Sequence, residues 1–540
     1  MKPVVALVAA LSLTAATAFA APEKPVPGKS PSDAAAAPAS VFTPRAVKST
    51  GTVTVEGRKI DYDAVAGRII VHPKGWDDAT KLKGGNDVIG TADGPPVASM
   101  FYVAYFKHGV DPRTRPITFL YNGGPGSATI WLHMGAFGPV RVVTKNDSHT
   151  PAAPYGRVDN SYSLLDASDL VFIDAPGAGF SRIAGKDKEK AFWGVDQDAY
   201  AFTSFIKQFI TQYDRWNSPK YLFGESYGTP RSAVVVNDLE TNDSIDFNGV
   251  ILLSQILNFD LAADLPDSNP GVEVPYEVML PTFAATAWYH HKLASQPADL
   301  ESFLKEVEQF AMGDYANALD AGASLPEDQF NAIAQKLHDY TGLPVAYIKK
   351  ANLRISGPKF EQQLQIDSDL TTGRLDTRFS GPAMDPLGET ADYDPQSAAI
   401  GSAYVSVFND YARRTLHYTT DQEYHPGINV FPGWEFKHQP PDAPMALPIT
   451  VNVMPDLATA MKYNPDLKIS LNGGYFDLAT PFYEGIYEMH HLDIPQKLQS
   501  NIEYHYYQSG HMVYANEASL KQIHDNVAAF IRKTNNQAGE

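Results

Sequence analysis

Short, continuous apolar runs that end in loops recur along the middle of the chain, at residues 117–121, 170–173, 221–223 and 250–253. Such runs suit strands covered on both faces, as in a parallel sheet. Residues 196–216 carry apolar side chains at helical spacing (Ala199, Phe202, Phe205, Ile206, Phe209, Ile210) and read as a crossover helix. A second helix is expected from Ser232 to Leu239, directly after the third run. Upstream, alternating patterns predict strands around 52–55, 67–72 and 97–106. From about Asp260 the texture turns helical. Residues 300–321 and 326–340 read as helices with acidic residues near their starts, Pro- and Gly-rich turns fill 380–395, and 403–418 is helical again. Sheet texture returns at 467–471 and 502–507, and a last helix fits 517–533. The pattern predicts one α/β domain with a central, mostly parallel sheet and a mainly helical insertion. The first part of the core is expected over 46–258, the helical cap over 259–440 and the second part over 441–540.

The segment ahead of residue 46 has another character. Met1-Lys2-Pro3, the apolar run to Ala20 and the closing Ala18-Phe19-Ala20 read as a signal peptide over 1–20, cut before Ala21. Residues 21–45, rich in Ala, Pro and Ser, read as a disordered leader. No later stretch approaches the roughly 20 apolar residues of a spanning helix. The mature chain is therefore expected in the periplasm or outside the cell, with no membrane anchor. A net charge of −19 argues against nucleic acid and anionic membrane surfaces as partners. With no cysteine, the chain has neither disulfides nor a thiolate metal site. Its 540 residues, 44% of them apolar, are ample for a core that holds without staples.

The third apolar run leads into Gly224-Glu225-Ser226-Tyr227-Gly228, and the expected helix follows. This is a G-x-S-x-G element in a strand–turn–helix setting, where a tight turn lifts the Ser226 oxygen clear of the sheet. A nucleophilic serine needs a base, and the base needs a group to orient it. The strand at 467–471 runs into a loop carrying Asp477, and the strand at 502–507 into a loop carrying His511. Both have the chain order and the strand-end placement of a Ser…Asp…His triad. Asn122-Gly123-Gly124-Pro125-Gly126 follows the first run, where glycines free backbone N–H groups to face a developing oxyanion.

These motifs resemble the serine carboxypeptidases of the α/β-hydrolase fold. The resemblance rests on Asn122-Gly123-Gly124-Pro125-Gly126 with Gly138-Pro139, on Val171 to Ser181 (VFIDAPGAGFS), on Asp196-Gln197-Asp198, on Gly224 to Gly228 and on Gly510-His511-Met512. It covers most of 97–258 and 440–530. It implies a triad of Ser226, Asp477 and His511, an oxyanion hole from the N–H groups of Gly124 and Tyr227, and Asn122 and Glu225 beside the substrate's C-terminal carboxylate. Glu225 would act there as a protonated donor, which favours activity in acid. The chain departs from the family at Ala136, where a glutamate normally shares a proton with the Glu225 counterpart. Without that second carboxyl, Glu225 is expected to titrate lower than in relatives that have the pair. A second departure is the absence of cysteine where many relatives are disulfide-rich, so the resemblance implies a bacterial-type member.

Other chemistry is poorly supported. His290-His291 and His490-His491 are adjacent pairs, and adjacent helical residues do not face one site. No H-E-x-x-H occurs, and Gly84-Gly85 and Gly177-Ala178-Gly179 lack a P-loop ending, so neither a metal nor another cofactor is expected. The leading reading is a secreted or periplasmic serine-type carboxypeptidase acting on peptide substrates through an acyl-enzyme. An esterase or acyltransferase with the same triad, and a catalytically silent binding protein on the same fold, are the alternatives.

Overall fold

Alternation near the start of the folded region produces an antiparallel hairpin. Strand β1 (Arg45–Val55) exposes alternate side chains and pairs with β2 (Arg58–Val71), which pairs in turn with β3 (Val97–Lys107). The structure is a computed structural model that describes residues 39–77, 79 and 82–537. The expected signal peptide and most of the expected leader lie outside those residues.

The apolar runs become strands buried along their whole length: β4 (Ile117–Tyr121), β5 (Asp169–Ile173), β6 (Lys220–Glu225) and β7 (Gly249–Leu253). β8 (Lys468–Gly474) and β9 (Ile502–Tyr507) follow far along the chain. Together they form a ten-stranded sheet of order β1-β2-β3-β5-β4-β6-β7-β8-β9, with a short strand at Arg182–Ala184 pairing β3. Every pair from β5 to β9 is parallel, and β3 meets β5 antiparallel. The chain leaves β4 towards β5 on one side and returns to β6 on the other. The crevice beyond the ends of β4 and β6 is thus a topological switch point, where such sheets bind ligands. Asn122 and Ser226 follow those two strands directly.

Helix α1 (Val195–Gln212) buries Ala199, Phe202, Phe205, Ile206, Phe209 and Ile210 against the sheet, the face the spacing marked. It stops short of the expected residue 216 because Asp214 takes a positive φ of 53° and Arg215 turns inward to an ion pair with Asp169 at 2.7 Å. Helix α2 (Gly228–Asp243) is longer than the sequence implied and begins at the elbow itself.

Between β7 and β8 the chain packs in two ways. Helices α3 (Val274–Tyr289), α4 (Leu300–Phe310) and α5 (Glu327–Thr341) build a second core through Met279, Phe283, Phe303, Leu304 and Leu337. That core includes Phe476 and Leu478, the neighbours of Asp477. Helix α6 (Pro395–Arg414) joins the main core instead, through Ile400, Tyr404, Phe408 and Tyr411. It starts before the expected residue 403 and ends before 418. Asp394 caps it by accepting from Ser397 N at 2.7 Å, and Pro395 occupies its first turn. Residues 425–435 then cross back over the loops after β4 and β5: Ala128 N donates to Pro426 O, Ile428 N to Gly126 O, and His425 pairs with Gly179.

Candidate active site

Ser226 is the residue whose backbone carries the turn. Its φ is +60°, unusual for a residue with a Cβ, and it lies where β6 ends and α2 begins. The flanking glycine before it provides room: a Cβ on Gly224 would lie 2.1 Å from Gly228 O and 2.5 Å from Ser232 Oγ. The elbow is pinned by Ser226 N donating to Leu253 O at 3.0 Å and Thr229 N donating to Ser226 O at 2.8 Å. The side chain of Ser226 is half-buried at the mouth of the crevice.

His511 and Asp477 meet from adjacent strand ends. Nδ1 of His511 lies 2.8 Å from Oδ2 of Asp477, and both residues are buried. Asp477 is held by three further donors: Ala479 N at 2.9 Å and Thr480 N at 3.0 Å to Oδ1, and Thr480 Oγ1 at 2.8 Å to Oδ2. The bond to Asp477 fixes the Nδ1–H tautomer and leaves Nε2 as the acceptor. Burial would lower the His511 pKa, but the charge of Asp477 and its hydrogen bond outweigh that and raise it above the ordinary value. The ring is anchored through its own backbone as well. His511 N donates to Leu375 O at 2.6 Å, and His511 O accepts from Ser254 Oγ at 2.8 Å.

The Gly-rich loop lies against the elbow: a Cβ on Gly123 would sit 2.2 Å from Tyr227 N. The N–H groups of Gly124 and Tyr227 have no protein acceptor among the described residues. Two free N–H groups on abutting loops can serve an oxyanion. The other residues of the resemblance build the scaffold beneath. Asp174 accepts from Thr129 N at 2.8 Å and from Phe180 N at 3.3 Å, which ties the loop after β4 to the loop after β5. Asp198 pairs with Arg231 at 2.6 Å, and Arg231 Nη1 donates to Asn122 O at 2.8 Å.

Glu225 and Asn122 are buried beside this centre. Asn122 Oδ1 accepts from Leu132 N at 3.1 Å, so its NH2 faces the other way and hydrogen-bonds Glu225. Glu225 also has a partner that the sequence reading missed. The Tyr514 hydroxyl lies 3.1 Å from Oε1 and 2.8 Å from Oε2. Burial pushes the Glu225 carboxyl up to about 7, against the charge of His511 and the hydrogen bonds of Tyr514 and Asn122, with Asp477 adding to the rise. Ala136 leaves Glu225 without a second carboxyl but not without a partner. Thr480, Ser254 and Leu375 were missed as well. Only Thr480 carried a signal, as a hydroxyl three residues beyond the acid.

Among the described residues no group of three or more His, Cys, Asp or Glu is placed to hold a metal, and no helix is long and apolar enough to cross a membrane. Residues 91–264 match the family model described as serine carboxypeptidase. Over 177, 168 and 159 residues respectively, the chain is 27% identical to serine carboxypeptidase-like 36 and 30% identical to serine carboxypeptidase-like 33, both of Arabidopsis thaliana, and 29% identical to a carboxypeptidase Y homolog of Arthroderma benhamiae. These alignments cover 31%, 28% and 29% of this chain. The chain spans about a third of the relatives' own lengths: 34%, 32% and 29%. With the elbow on a mostly parallel sheet and this matched segment around it, the chain is similar to the serine carboxypeptidases over that segment and has an α/β-hydrolase fold.

Proposed function

We propose that the chain is a serine-type carboxypeptidase that removes residues from peptide C-termini through an acyl-enzyme. The observation that carries the reading is Ser226 at φ +60° on the elbow, two strands away from a buried His511–Asp477 pair at 2.8 Å. In this reading Nε2 of His511 takes the Ser226 proton as Oγ attacks the peptide carbonyl. The N–H groups of Gly124 and Tyr227 hold the oxyanion, and His511 returns the proton to the leaving amine. Water then attacks the acyl-enzyme with His511 as base. Asp477 keeps the ring oriented and stabilises the imidazolium. Residues 1–20 address the chain to the periplasm or the exterior.

The test is mass spectrometry of an unbiased peptide pool after incubation with the protein. Loss of single residues from C-termini, absent with Ser226→Ala, is the expected result. Internal cleavage, or no cleavage alongside turnover of simple esters, overturns the peptide-end assignment. Ser226→Ala is expected to lose turnover by about a thousandfold or more, together with labelling by a fluorophosphonate reagent.

A further inference from the structure

The carboxyl next to the nucleophile is held by a phenol. Tyr514 follows His511 by three residues, in a short 3-10 turn (Val513–Ala515), and its hydroxyl faces both oxygens of Glu225 at once. The phenol fits because the opposing chain is small. A Cβ on Gly135, next to Ala136 on the π-helical turn Leu132–Phe137, would meet the Tyr514 ring at 2.7 Å and the Tyr404 hydroxyl at 2.5 Å. Two carboxyls side by side share a proton, and one of them remains a donor. A phenol beside a carboxylate donates its only proton and leaves the carboxylate an acceptor.

Building on the carboxypeptidase reading, we propose that Tyr514 is a positioning residue that decides which substrate end the Glu225 subsite takes, by holding Glu225 as a hydrogen-bond acceptor. An acceptor at that position suits a C-terminal amide, or another N–H-bearing end, and repels a free carboxylate. A protonated Glu225 reverses the preference. The groups that face Glu225 set the pH of that reversal. They are Tyr514 and Asn122, which hydrogen-bond it, His511 and Asp477 from the loops after β9 and β8, and Tyr404 from α6. Tyr514 and Asn122 favour the ionised acceptor, as does a charged His511, while burial and Asp477 oppose it. The subsite therefore takes free carboxylates on the acid side of neutrality and amide ends above it.

Binding separates this proposal from turnover. The probes are an N-acetyl dipeptide acid and its C-terminal amide, titrated calorimetrically between pH 5 and 9 into the Ser226→Ala protein and into Ser226→Ala/Tyr514→Phe. The parent should prefer the acid at low pH, with the acid-to-amide affinity ratio falling about tenfold per pH unit above the reversal. Tyr514→Phe should move the reversal up by about one pH unit, since a donor to the charged form is lost. Glu225→Gln in the same background should flatten the ratio across the range. Infrared difference spectra of Ser226→Ala against Ser226→Ala/Glu225→Gln report the Glu225 carboxyl with Tyr514 in place. They should show it ionising at the pH where preference reverses, so the proposal stays testable even if Tyr514→Phe fails to fold. An unchanged reversal in Tyr514→Phe, a mismatch between the infrared titration and the reversal, or no binding of either probe overturns the proposal. Fluorophosphonate labelling of Ser226 in the wild type tests the serine-hydrolase chemistry separately, so failure of that reading is distinguishable.

Discussion

Three donors besides His511 converge on the Asp477 carboxylate, and only Thr480 uses a side chain. Thr480→Val keeps the shape and deletes one charge-assisted bond to Oδ2. Kcat/KM on a blocked ester should fall roughly tenfold with the fold intact. A loss below twofold would show that the two backbone N–H groups suffice to aim the acid. His511 gives a second expectation at this scale. In the proposed mechanism it serves as base only when neutral, and its pKa is raised above the ordinary value once Asp477 outweighs burial. The rate on an uncharged ester should therefore climb with pH to a half-point above about 6.5. A half-point at or below that value contradicts the Asp477 pairing. Peptides with a free C-terminus should show an additional fall above about 7 as Glu225 ionises, giving a bell. Ser226, Asp477 and His511 could be singled out as candidates in the sequence because each sits just beyond an expected strand, a placement that short-range pattern carries. Tyr514 was not, because its meeting with Glu225 spans 289 positions and depends on the empty space at Gly135.

At the scale of elements, strands buried on both faces were easier to read than helices buried all round. β4 matches its apolar run residue for residue, and β7 adds only Gly249 to its own. Helix α3 was missed. Its residues from Pro275 to Ala287 are all buried, so it has no polar face to mark a period of 3.6, and Pro281 inside it argued against a helix. What the pattern could not show is that a loop of the inserted segment holds the loops of Asp477 and His511 in place. Leu375 O accepts from His511 N at 2.6 Å, Thr377 N donates to Phe476 O at 2.9 Å, and Leu478 N donates to Arg374 O at 3.1 Å. The loops of Asp477 and His511 thus both rest on residues 374–377. Gly510 is where this contact is tightest. A Cβ there would lie 2.5 Å from Asp376 Cα and Cβ and from Leu375 O, and backbone cannot yield as a flexible side chain does. Gly510→Ala should push the two loops apart, with a loss of about 1–3 kcal/mol in stability. Kcat should fall more than KM rises, because the displaced group is the proposed base. Thermal unfolding and ester kinetics check the two halves, and a variant with wild-type melting and turnover would show that residues 374–377 merely cover the site.

At the scale of the whole molecule, residues 425–447 form a strap that is tied down at both ends. Near its start it pairs with the loops that carry Gly126 and Gly179, and at Glu435 it pairs with Gly194 ahead of α1. Its far end is clamped by His438. Nδ1 lies 2.6 Å from Asp196 at the start of α1, and Nε2 lies 2.8 Å from Asp456 at the start of a helix over Met454–Tyr463. Only an imidazolium donates from both nitrogens, so the clamp is complete only when the ring is charged. Burial works against that charge, but the two carboxylates outweigh it and raise the His438 pKa to about 9. Because the folded value lies above the unfolded one, near 6.5, the stabilisation is fully present below about pH 6.5. It is lost as pH rises through about 9. The shift corresponds to roughly 3 kcal/mol across that window. His438→Gln keeps a neutral hydrogen-bonding side chain and removes the titration. Its melting temperature should sit below wild type at pH 6, and the gap should close by pH 10. Since the strap crosses the loop after β4 that carries Gly124, wild-type ester turnover should weaken along the same alkaline limb before global unfolding. In His438→Gln it should lack that limb. A melting-temperature gap that stays constant from pH 6 to 10 would mean that the ring acts by shape alone, and that the clamp does not depend on its charge.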